Sequence, residues 1–198
     1  MNQSFIHLAS ASPRRRELLQ QIGVEYRVSP ARVDESPLPN EAPGDYVSRL
    51  AEAKARATSV ELQVKEPVLG ADTTVVLGDR LLGKPADRSA CLDMLSSLSE
   101  ARHEVLTAVF VLHGENEFAA LSRSQVQFRH ISQNEMKQYW DSGEPADKAG
   151  GYSIQGLGAV FIKKIEGSYS GVMGLPLFET ARLLGKCGID VLKGSSSA

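Results

Sequence analysis

Three consecutive arginines stand where a helix is predicted to begin. They close residues 10–16 (SASPRRR), in which a serine followed by a proline is typical of a helix N-terminus. That end of a helix carries about half a positive charge, so arginines there are unfavourable unless an anion is bound. Backbone N–H groups at a helix start already favour phosphate. The segment therefore predicts a phosphate site, and a solvated basic turn is the alternative.

An aspartate interrupts an apolar, β-prone segment of the chain. Asp72 lies within residues 67–77 (PVLGADTTVVL), which are rich in valine and threonine. Burying an ionised carboxylate in such a strand is costly unless a cation or hydrogen bonds compensate it. We therefore interpret Asp72 as a functional group, and the alternative is an aspartate that only forms a turn at a strand edge.

Further charged residues can complete the chemistry. Asp34 and Glu35 lie in a proline-rich loop, and Lys84 precedes a proline after the strand that contains Asp72. Carboxylates bind Mg²⁺ through oxygen or position a water, and lysines and arginines stabilise phosphate charge. Each residue alone has an ordinary explanation as a solvated charge. In combination they fit metal-assisted hydrolysis of a phosphoanhydride.

Several common catalytic and nucleotide-binding motifs are missing from the sequence. It contains neither G-x-x-x-x-G-K-[ST] nor G-x-G-x-x-G after a strand, and neither H-E-x-x-H nor G-x-S-x-G. The four histidines are scattered, and Cys91 and Cys187 lack the spacing of a zinc site. We expect these side chains to serve in packing or as free thiols.

The pattern of apolar residues predicts an α/β fold with a mixed, twisted sheet flanked by helices. Strands are expected at 5–9, 26–29, 67–77 and 81–82, in a long hairpin at 104–113 and 117–128, and at 159–165. Helices are expected at 13–22, around 46–51, around 91–98, around 136–140 and at 176–184. The site residues therefore come from several different elements.

Local signals predict where four of the helices begin or end. Ser12 and Asp87 are expected to cap the helices that follow them. Ser132 and Glu135 have the spacing of a capping box. Gly188 is expected to end the last helix.

Length and charge limit the partners that this chain can have. Its 198 residues fit one domain over 1–193, followed by a flexible tail at 194–198. The net charge of -2 and the pI near 6.1 argue against a nucleic-acid surface and favour a small phosphate ligand. The start has no secretory signal and no stretch approaches the roughly 20 apolar residues of a membrane span, so we expect a cytoplasmic protein without a membrane partner.

Seven short strings resemble, in order and spacing, those of the Maf nucleoside triphosphate pyrophosphatases, a family related in fold to the inosine triphosphate pyrophosphatases. The strings are LASASPRRRELL from residue 8, VDES at 33–36, RLAEAKA at 49–55, GADTTVVL at 70–77, GKP at 83–85, DKAGGYSIQGLG at 147–158 and GLPLFET at 174–180. The resemblance runs from Leu8 to about Leu184.

The resemblance implies hydrolysis of a nucleoside triphosphate between its α and β phosphates, with Mg²⁺ or Mn²⁺ as cofactor. By this matching Asp72 occupies the proton-acceptor position, and Glu35 resembles the acidic residue that helps to bind metal or water. Asp72 and Glu35 are therefore the expected metal ligands. Lys54 and Lys84 resemble the lysines that bind the triphosphate. Whether Asp72 takes the proton itself or mainly holds metal stays open.

The same matching implies where the rest of the substrate binds. Ser10, Arg14 and Arg15 look like phosphate contacts. Arg14, Thr73 and Gln155 resemble the family branch that acts on dTTP and UTP, and 5-modified pyrimidine nucleotides are possible further substrates. A neutral amide at Gln155 can pair with a pyrimidine edge, because it both donates and accepts hydrogen bonds. Relatives also imply a homodimer.

Two other functions stay open at this point. One is a pyrophosphatase of the same family that acts on 7-methylguanosine triphosphate, which differs in the base pocket. The other is a regulator of septum formation that binds nucleotide without turnover. The acidic and basic residues expected for catalysis favour an enzyme that clears modified nucleotides from the pool, with a possible link to cell division arrest.

Overall fold

Seven strands form one mixed sheet in the computed structural model, which describes residues 5–192. They are β1 (Ile6–Leu8), β2 (Tyr26–Val28), β3 (Val68–Leu77), β4 (Arg80–Leu82), β5 (Arg102–His113), β6 (Asn116–Phe128) and β7 (Ile162–Glu166). The order is β2-β1-β3-β5-β6-β7, and β4 pairs with β3. β1 runs parallel to β2 and β3, whereas β4 is antiparallel to β3 and β7 to β6. The predicted mixed α/β sheet is confirmed.

Six α-helices accompany these strands within the described residues. They are α1 (Pro13–Gln21), α2 (Pro43–Leu62), α3 (Arg88–Leu98), α4 (Gln133–Asp141), α5 (Tyr169–Met173) and α6 (Leu177–Lys186). Short 3-10 helices span Glu144–Asp147, Ala149–Gly151 and Leu157–Phe161. The sequence pattern did not predict α5, which is only five residues long.

Three of the four expected helix signals are confirmed. Asp87 accepts a hydrogen bond from the Ala90 amide at 2.8 Å, and the Ser132 and Glu135 capping box is complete. Gly188 takes a left-handed conformation directly after α6, with φ of 80°.

The expected cap at Ser12 is wrong. This residue stands before α1, but its side chain accepts no hydrogen bond from the helix. Its backbone amide instead donates to Ser10 Oγ at 3.3 Å. The first amides of α1 therefore have no side-chain cap from Ser12, which is the condition that an anion site at a helix start requires.

The strand expected at 159–165 is also partly wrong. Residues Leu157–Phe161 form a 3-10 helix, and the strand covers only Ile162–Glu166. The Ala159 amide donates to the Gly156 carbonyl oxygen at 3.1 Å. This i→i−3 hydrogen bond is of the 3-10 type, so the amide is not available to a strand ladder.

Backbone contacts divide the described chain into two compact units. The first comprises residues 5–72, 107–122 and 174–192, and the second comprises residues 73–106 and 123–173. The prediction of one domain over 1–193 stays a prediction. The tail predicted at 194–198, like the start of the chain, lies outside the described residues.

Each unit has its own buried residues. In the first, Val47, Leu50 and Ala51 of α2 are fully buried, and the helix predicted around 46–51 is confirmed. In the second, one apolar cluster includes Cys91 of α3 and Phe128 of β6. Both cysteines are free thiols, as expected.

Among residues 5–192, no helix combines the length and the apolar character that crossing a membrane requires.

Candidate active site

Asp72 is the buried acid of the first unit. It lies in β3 with 8% of its surface exposed, and its Oδ1 accepts a hydrogen bond from Lys54 Nζ at 2.7 Å. Lys54 belongs to α2, and 12% of its side chain is exposed. The sequence argument required a cation or hydrogen bonds beside this carboxylate, and Lys54 supplies both.

Gly70 explains how α2 comes close enough to deliver Lys54. Gly70 and Asp72 alternate with Ala71 along β3, so they face the same side of the strand. A Cβ atom at Gly70 would overlap the carbonyl oxygen of Ala51 and stand 2.9 Å from the Ala55 amide nitrogen. The strand and the helix therefore touch through their backbones at this point. Only glycine permits that approach.

Glu35 completes a triad of charges around Lys54. Its Oε1 lies 2.6 Å from Lys54 Nζ, while 55% of its side chain is exposed. One ammonium group is thus shared by a buried and an exposed carboxylate. The three groups sum to one negative charge when all are ionised, so the cluster favours a further cation.

A brace on α2 holds the loop that carries Glu35. Arg49 donates from Nε and Nη2 to the two carboxylate oxygens of Glu41, at 2.5 and 2.7 Å, and also to the Ser36 carbonyl oxygen at 3.1 Å. Tyr46 Oη donates to the Glu35 carbonyl oxygen at 2.9 Å. The sequence argument missed Arg49, Glu41 and Tyr46. The RLAEAKA string could have indicated Arg49, because it contains both Arg49 and Lys54 and reads as one helix.

Arg15 and Ser10 occupy the start of the chain in the same unit. Arg15 donates from Nη1 to Ser10 Oγ and from Nε to the Gly174 carbonyl oxygen, both at 2.9 Å. Ser10 is 8% exposed, and Arg14 is half-buried on α1. The hydrogen bonds of Arg15 fix its guanidinium group between Ser10 and the Gly174 carbonyl oxygen, which is 159 residues further along the chain than Arg15.

Burial and the nearby charges act in opposite directions on Asp72. Burial raises the pKa of Asp72 and Glu35 adds to the rise, whereas Lys54 and Arg15 lower it, and the net pKa is raised. Burial also lowers the pKa of Arg15, opposed by Asp72 and Glu35, although a guanidinium group stays charged at any physiological pH. A carboxylate with a raised pKa is a better proton acceptor than an ordinary aspartate.

The other predicted site residues lie in the second unit. Thr73 follows Asp72 in β3 and is half-buried. Lys84 is exposed after β4, and Gln155 is exposed in the loop before the 3-10 helix Leu157–Phe161. The structure therefore places Ser10, Arg14, Arg15, Glu35, Lys54 and Asp72 in one unit, and Thr73, Lys84 and Gln155 in the other.

The loop that carries Gln155 is tightly bonded. Glu144 accepts from Tyr139 Oη at 2.6 Å, from the Leu157 amide at 2.7 Å and from the Gly158 amide at 3.0 Å. Tyr139 Oη in turn accepts from the Ser153 amide at 3.0 Å. The sequence argument missed Glu144, because its partners are distant backbone amides that no local spacing reveals.

Two carboxylates are available to hold a metal ion. Within residues 5–192 no group of three or more histidine, cysteine, aspartate or glutamate side chains is arranged to bind one. Asp72 and Glu35, both in contact with Lys54, provide oxygen donors of the type that Mg²⁺ prefers. Because Mg²⁺ is usually held by one or two carboxylates together with substrate phosphates, this donor set fits a metal that is bound jointly with a triphosphate.

Comparisons with known proteins identify relatives of this chain. The family described as Maf-like protein matches residues 5–187. A dTTP/UTP pyrophosphatase from Bordetella avium (strain 197N) is 50% identical over 192 residues, which cover 93% of this chain and 96% of the relative. A dTTP/UTP pyrophosphatase from Alkalilimnicola ehrlichii (strain ATCC BAA-1101 / DSM 17681 / MLHE-1) is 53% identical over 190 residues, with 93% and 94% covered.

The chain belongs to the Maf family. The match spans nearly all of the described residues, and it confirms the resemblance that the seven strings indicated. The predicted α/β Maf fold is confirmed with it.

Proposed function

We propose that this protein is a nucleoside triphosphate pyrophosphatase that hydrolyses dTTP and UTP to the monophosphate and pyrophosphate. The observation that carries the proposal is the buried Asp72, paired through Lys54 with Glu35 in the same unit as Arg15. Hydrolysis of a phosphoanhydride needs a group that accepts the proton of water and cations that stabilise the phosphate charge, and this unit contains both. The names of relatives about 50% identical over nearly the whole chain supply the substrates.

In this proposal Asp72 accepts the proton from the attacking water. Lys54 engages Oδ1, and the other carboxylate oxygen, Oδ2, is proposed to face the attacking water. The water oxygen bonds to the α-phosphorus, and the bond from that phosphorus to the β-bridging oxygen breaks. Pyrophosphate leaves, and the water proton goes to Asp72.

The cationic side chains act on the negative charge of the substrate. Arg14, Arg15 and Ser10 bind phosphate oxygens near the start of α1, and Lys54 and Lys84 neutralise charge as it develops on the leaving pyrophosphate. Groups aimed at developing charge usually contribute the largest share of catalysis. Arg15 needs little reorganisation for this task, because the Ser10 hydroxyl and the Gly174 carbonyl already fix it.

A divalent cation, Mg²⁺ or Mn²⁺, is part of the proposal. Asp72 and Glu35 would hold it together with the phosphates. When bound, the metal supplies a Lewis acid that polarises phosphoryl oxygens and lowers the pKa of bound water. The exposed Glu35 side chain can move to meet such an ion more easily than the buried Asp72 can.

Base selection is assigned to Arg14, Thr73 and Gln155. The amide of Gln155 both donates and accepts hydrogen bonds, which suits the N3–H and carbonyl edge of uracil or thymine. Pyrimidines modified at the 5-position present the same edge, so they are expected substrates too. We further propose a cytoplasmic homodimer that clears such nucleotides from the pool.

The test is a substrate panel with product identification. The protein is incubated with dTTP, UTP, CTP, dATP, GTP and 7-methylguanosine triphosphate, with Mg²⁺ or Mn²⁺ and with EDTA, in ¹⁸O-labelled water. We expect pyrophosphate and labelled monophosphate from dTTP and UTP, and no turnover in EDTA. Release of orthophosphate, or label in the pyrophosphate product, would contradict the reaction, and preference for 7-methylguanosine triphosphate would contradict the substrate.

A further inference from the structure

A group of hydrogen bonds in the second unit holds the backbone on both sides of Gln155. Glu144 binds the amides of Leu157 and Gly158, and Tyr139 binds the amide of Ser153. These anchors lie two residues before Gln155 and two and three residues after it. Tyr139 and Glu144 are also joined to each other by a 2.6 Å hydrogen bond, so the loop is tied on both sides to one rigid pair.

Glycines at two positions allow this close approach. A Cβ atom at Gly156 would overlap the Glu144 carboxylate. A Cβ atom at Gly158 would stand 2.6 Å from Tyr139 Oη and 2.7 Å from the Ser153 carbonyl oxygen. Both separations are shorter than van der Waals contact permits, so the loop backbone lies directly against the Tyr139 and Glu144 side chains.

Tyr139 anchors the pair by packing into the core of the second unit. Tyr139 is 4% exposed and belongs to the apolar cluster, where its ring meets Phe161 edge to face with centroids 5.1 Å apart. Gln155, in contrast, is exposed. Tyr139 is therefore a buried contact and Glu144 is half-buried beside it, and together they position an exposed side chain.

We propose that Glu144, together with Tyr139, is the positioning pair that gives the enzyme its preference for uracil and thymine over cytosine. The proposal rests on the proposed function, in which Gln155 meets the base. A glutamine amide can present either its donor or its acceptor to a ligand. It discriminates between uracil and cytosine, whose edges have donor and acceptor exchanged, only if the loop fixes the point from which it reaches the base.

The ionisation of Glu144 supports this role. Burial by itself raises the pKa of Glu144, but the hydrogen bonds from Tyr139, Gly158 and Leu157, together with Lys148, lower it overall. Glu144 therefore stays ionised at neutral pH, and each of its two carboxylate oxygens accepts at least one hydrogen bond. Replacing it with glutamine puts an NH₂ group in the place of one oxygen, where it faces other donors.

The experiment compares selectivity in the parent and in Glu144→Gln. The ratio of kcat/KM for dTTP to that for CTP is measured with Mg²⁺, and we expect Glu144→Gln to lower this ratio about tenfold or more, since a displacement of about 1 Å can cost roughly a hundredfold. Loss of folded enzyme lowers both rates equally and leaves the ratio unchanged. The ratio therefore separates positioning from a merely structural role.

Glu135→Gln is the matched control. Glu135 lies in α4, as Tyr139 does, and accepts the Ser132 amide at 2.8 Å and Arg129 Nη2 at 2.8 Å. Its replacement breaks comparable bonds, neither of them to residues 153–158, so we expect a lower Tm with an unchanged ratio. If Glu144→Gln does not fold, Tyr139→Phe carries the test, because it removes the bonds to Glu144 and from Ser153.

A double-mutant cycle completes the design. In a Gln155→Ala variant the side chain proposed to contact the base is absent. Adding Glu144→Gln to that variant is expected to change the ratio of kcat/KM values by less than about twofold, because the effects of two residues that act through one contact are not additive. A parent that releases no pyrophosphate from dTTP would overturn the proposed function. A parent that prefers dTTP, with the preference intact in Glu144→Gln and Tyr139→Phe, would overturn this inference alone.

Discussion

Replacing Gly70 with alanine tests how the fold positions the charges of the active site. The added Cβ would stand 2.9 Å from the Ala55 amide nitrogen and overlap the Ala51 carbonyl oxygen. Ordinary van der Waals contact begins near 3.4 Å, whereas the added Cβ would stand 2.1 Å from the Ala51 carbonyl oxygen, so α2 and β3 must separate by about 1.3 Å at this point. Lys54 is carried on that stretch of α2, between the two alanines.

Two magnitudes follow from this displacement. Overpacking of a closely packed site costs about 1 to 3 kcal/mol. At roughly 2 to 4 °C per kcal/mol for a chain of this size, Tm should fall by about 2 to 12 °C. The 2.7 Å contact between Lys54 Nζ and Asp72 Oδ1 also lengthens. Because misplacement by about 1 Å can cost roughly a hundredfold, we expect kcat with dTTP to fall about a hundredfold.

The assay combines differential scanning fluorimetry with steady-state pyrophosphate release, and Gly185→Ala is the control. Gly185 lies in α6 with open space around it, so alanine there should stabilise the helix by about 0.5 to 1 kcal/mol without changing kcat. An unchanged Tm in Gly70→Ala would refute the packing argument. A lower Tm with an unchanged kcat would refute the claim that this contact positions Lys54.

Two further predictions concern the loop brace and the response to acid. Arg49→Lys keeps the charge but loses the paired bonds to Glu41, so the half-saturating Mg²⁺ concentration should rise about tenfold, as for other outer-shell changes. Arg56→Lys, which alters the pairs with Glu52 and Glu117, should leave the half-saturating Mg²⁺ concentration unchanged. If both variants raised it equally, Arg49 would have no specific role in holding the Glu35 loop. Burial lowers the pKa of His103 to about 4. The folded state thus binds this proton less readily than the unfolded chain, and on the order of 3 kcal/mol of stability is lost as pH falls from 6.5 to 4. Urea titrations over this range should show that the free energy of unfolding depends less steeply on pH in His103→Gln than in the parent. An identical dependence would show that His103 does not cause the loss of stability.

Residues with strong local signals were predictable from the sequence. The valine-rich run around Asp72 and the capping box at Ser132 act within a few residues, and both are found as predicted. Ser12 shows the limit of such reasoning, because its amide bonds to Ser10 Oγ and its side chain leaves α1 uncapped. A cap preference is weaker than the contacts that a segment makes in its own fold.

The contacts that organise the candidate site were not predictable from spacing. Lys54 was assigned only through the family resemblance, since no local pattern places it 2.7 Å from an acid 18 residues away. Glu144 was missed for the same reason, because its bonds to Leu157 and Gly158 span 13 and 14 residues. The expected strand start at residue 159 was wrong because the Ala159 amide bonds back to the Gly156 carbonyl oxygen in a 3-10 turn.

Asp72→Asn tests the central claim most directly. Asparagine keeps the shape but cannot take a proton, so kcat for pyrophosphate release from dTTP should fall by about 10² to 10⁴-fold. Because burial raises the pKa of Asp72 in the folded protein, its ionised form costs stability at neutral pH. Tm should therefore rise or stay the same in the variant. Turnover within about twofold of the parent by a folded Asp72→Asn protein would contradict the account.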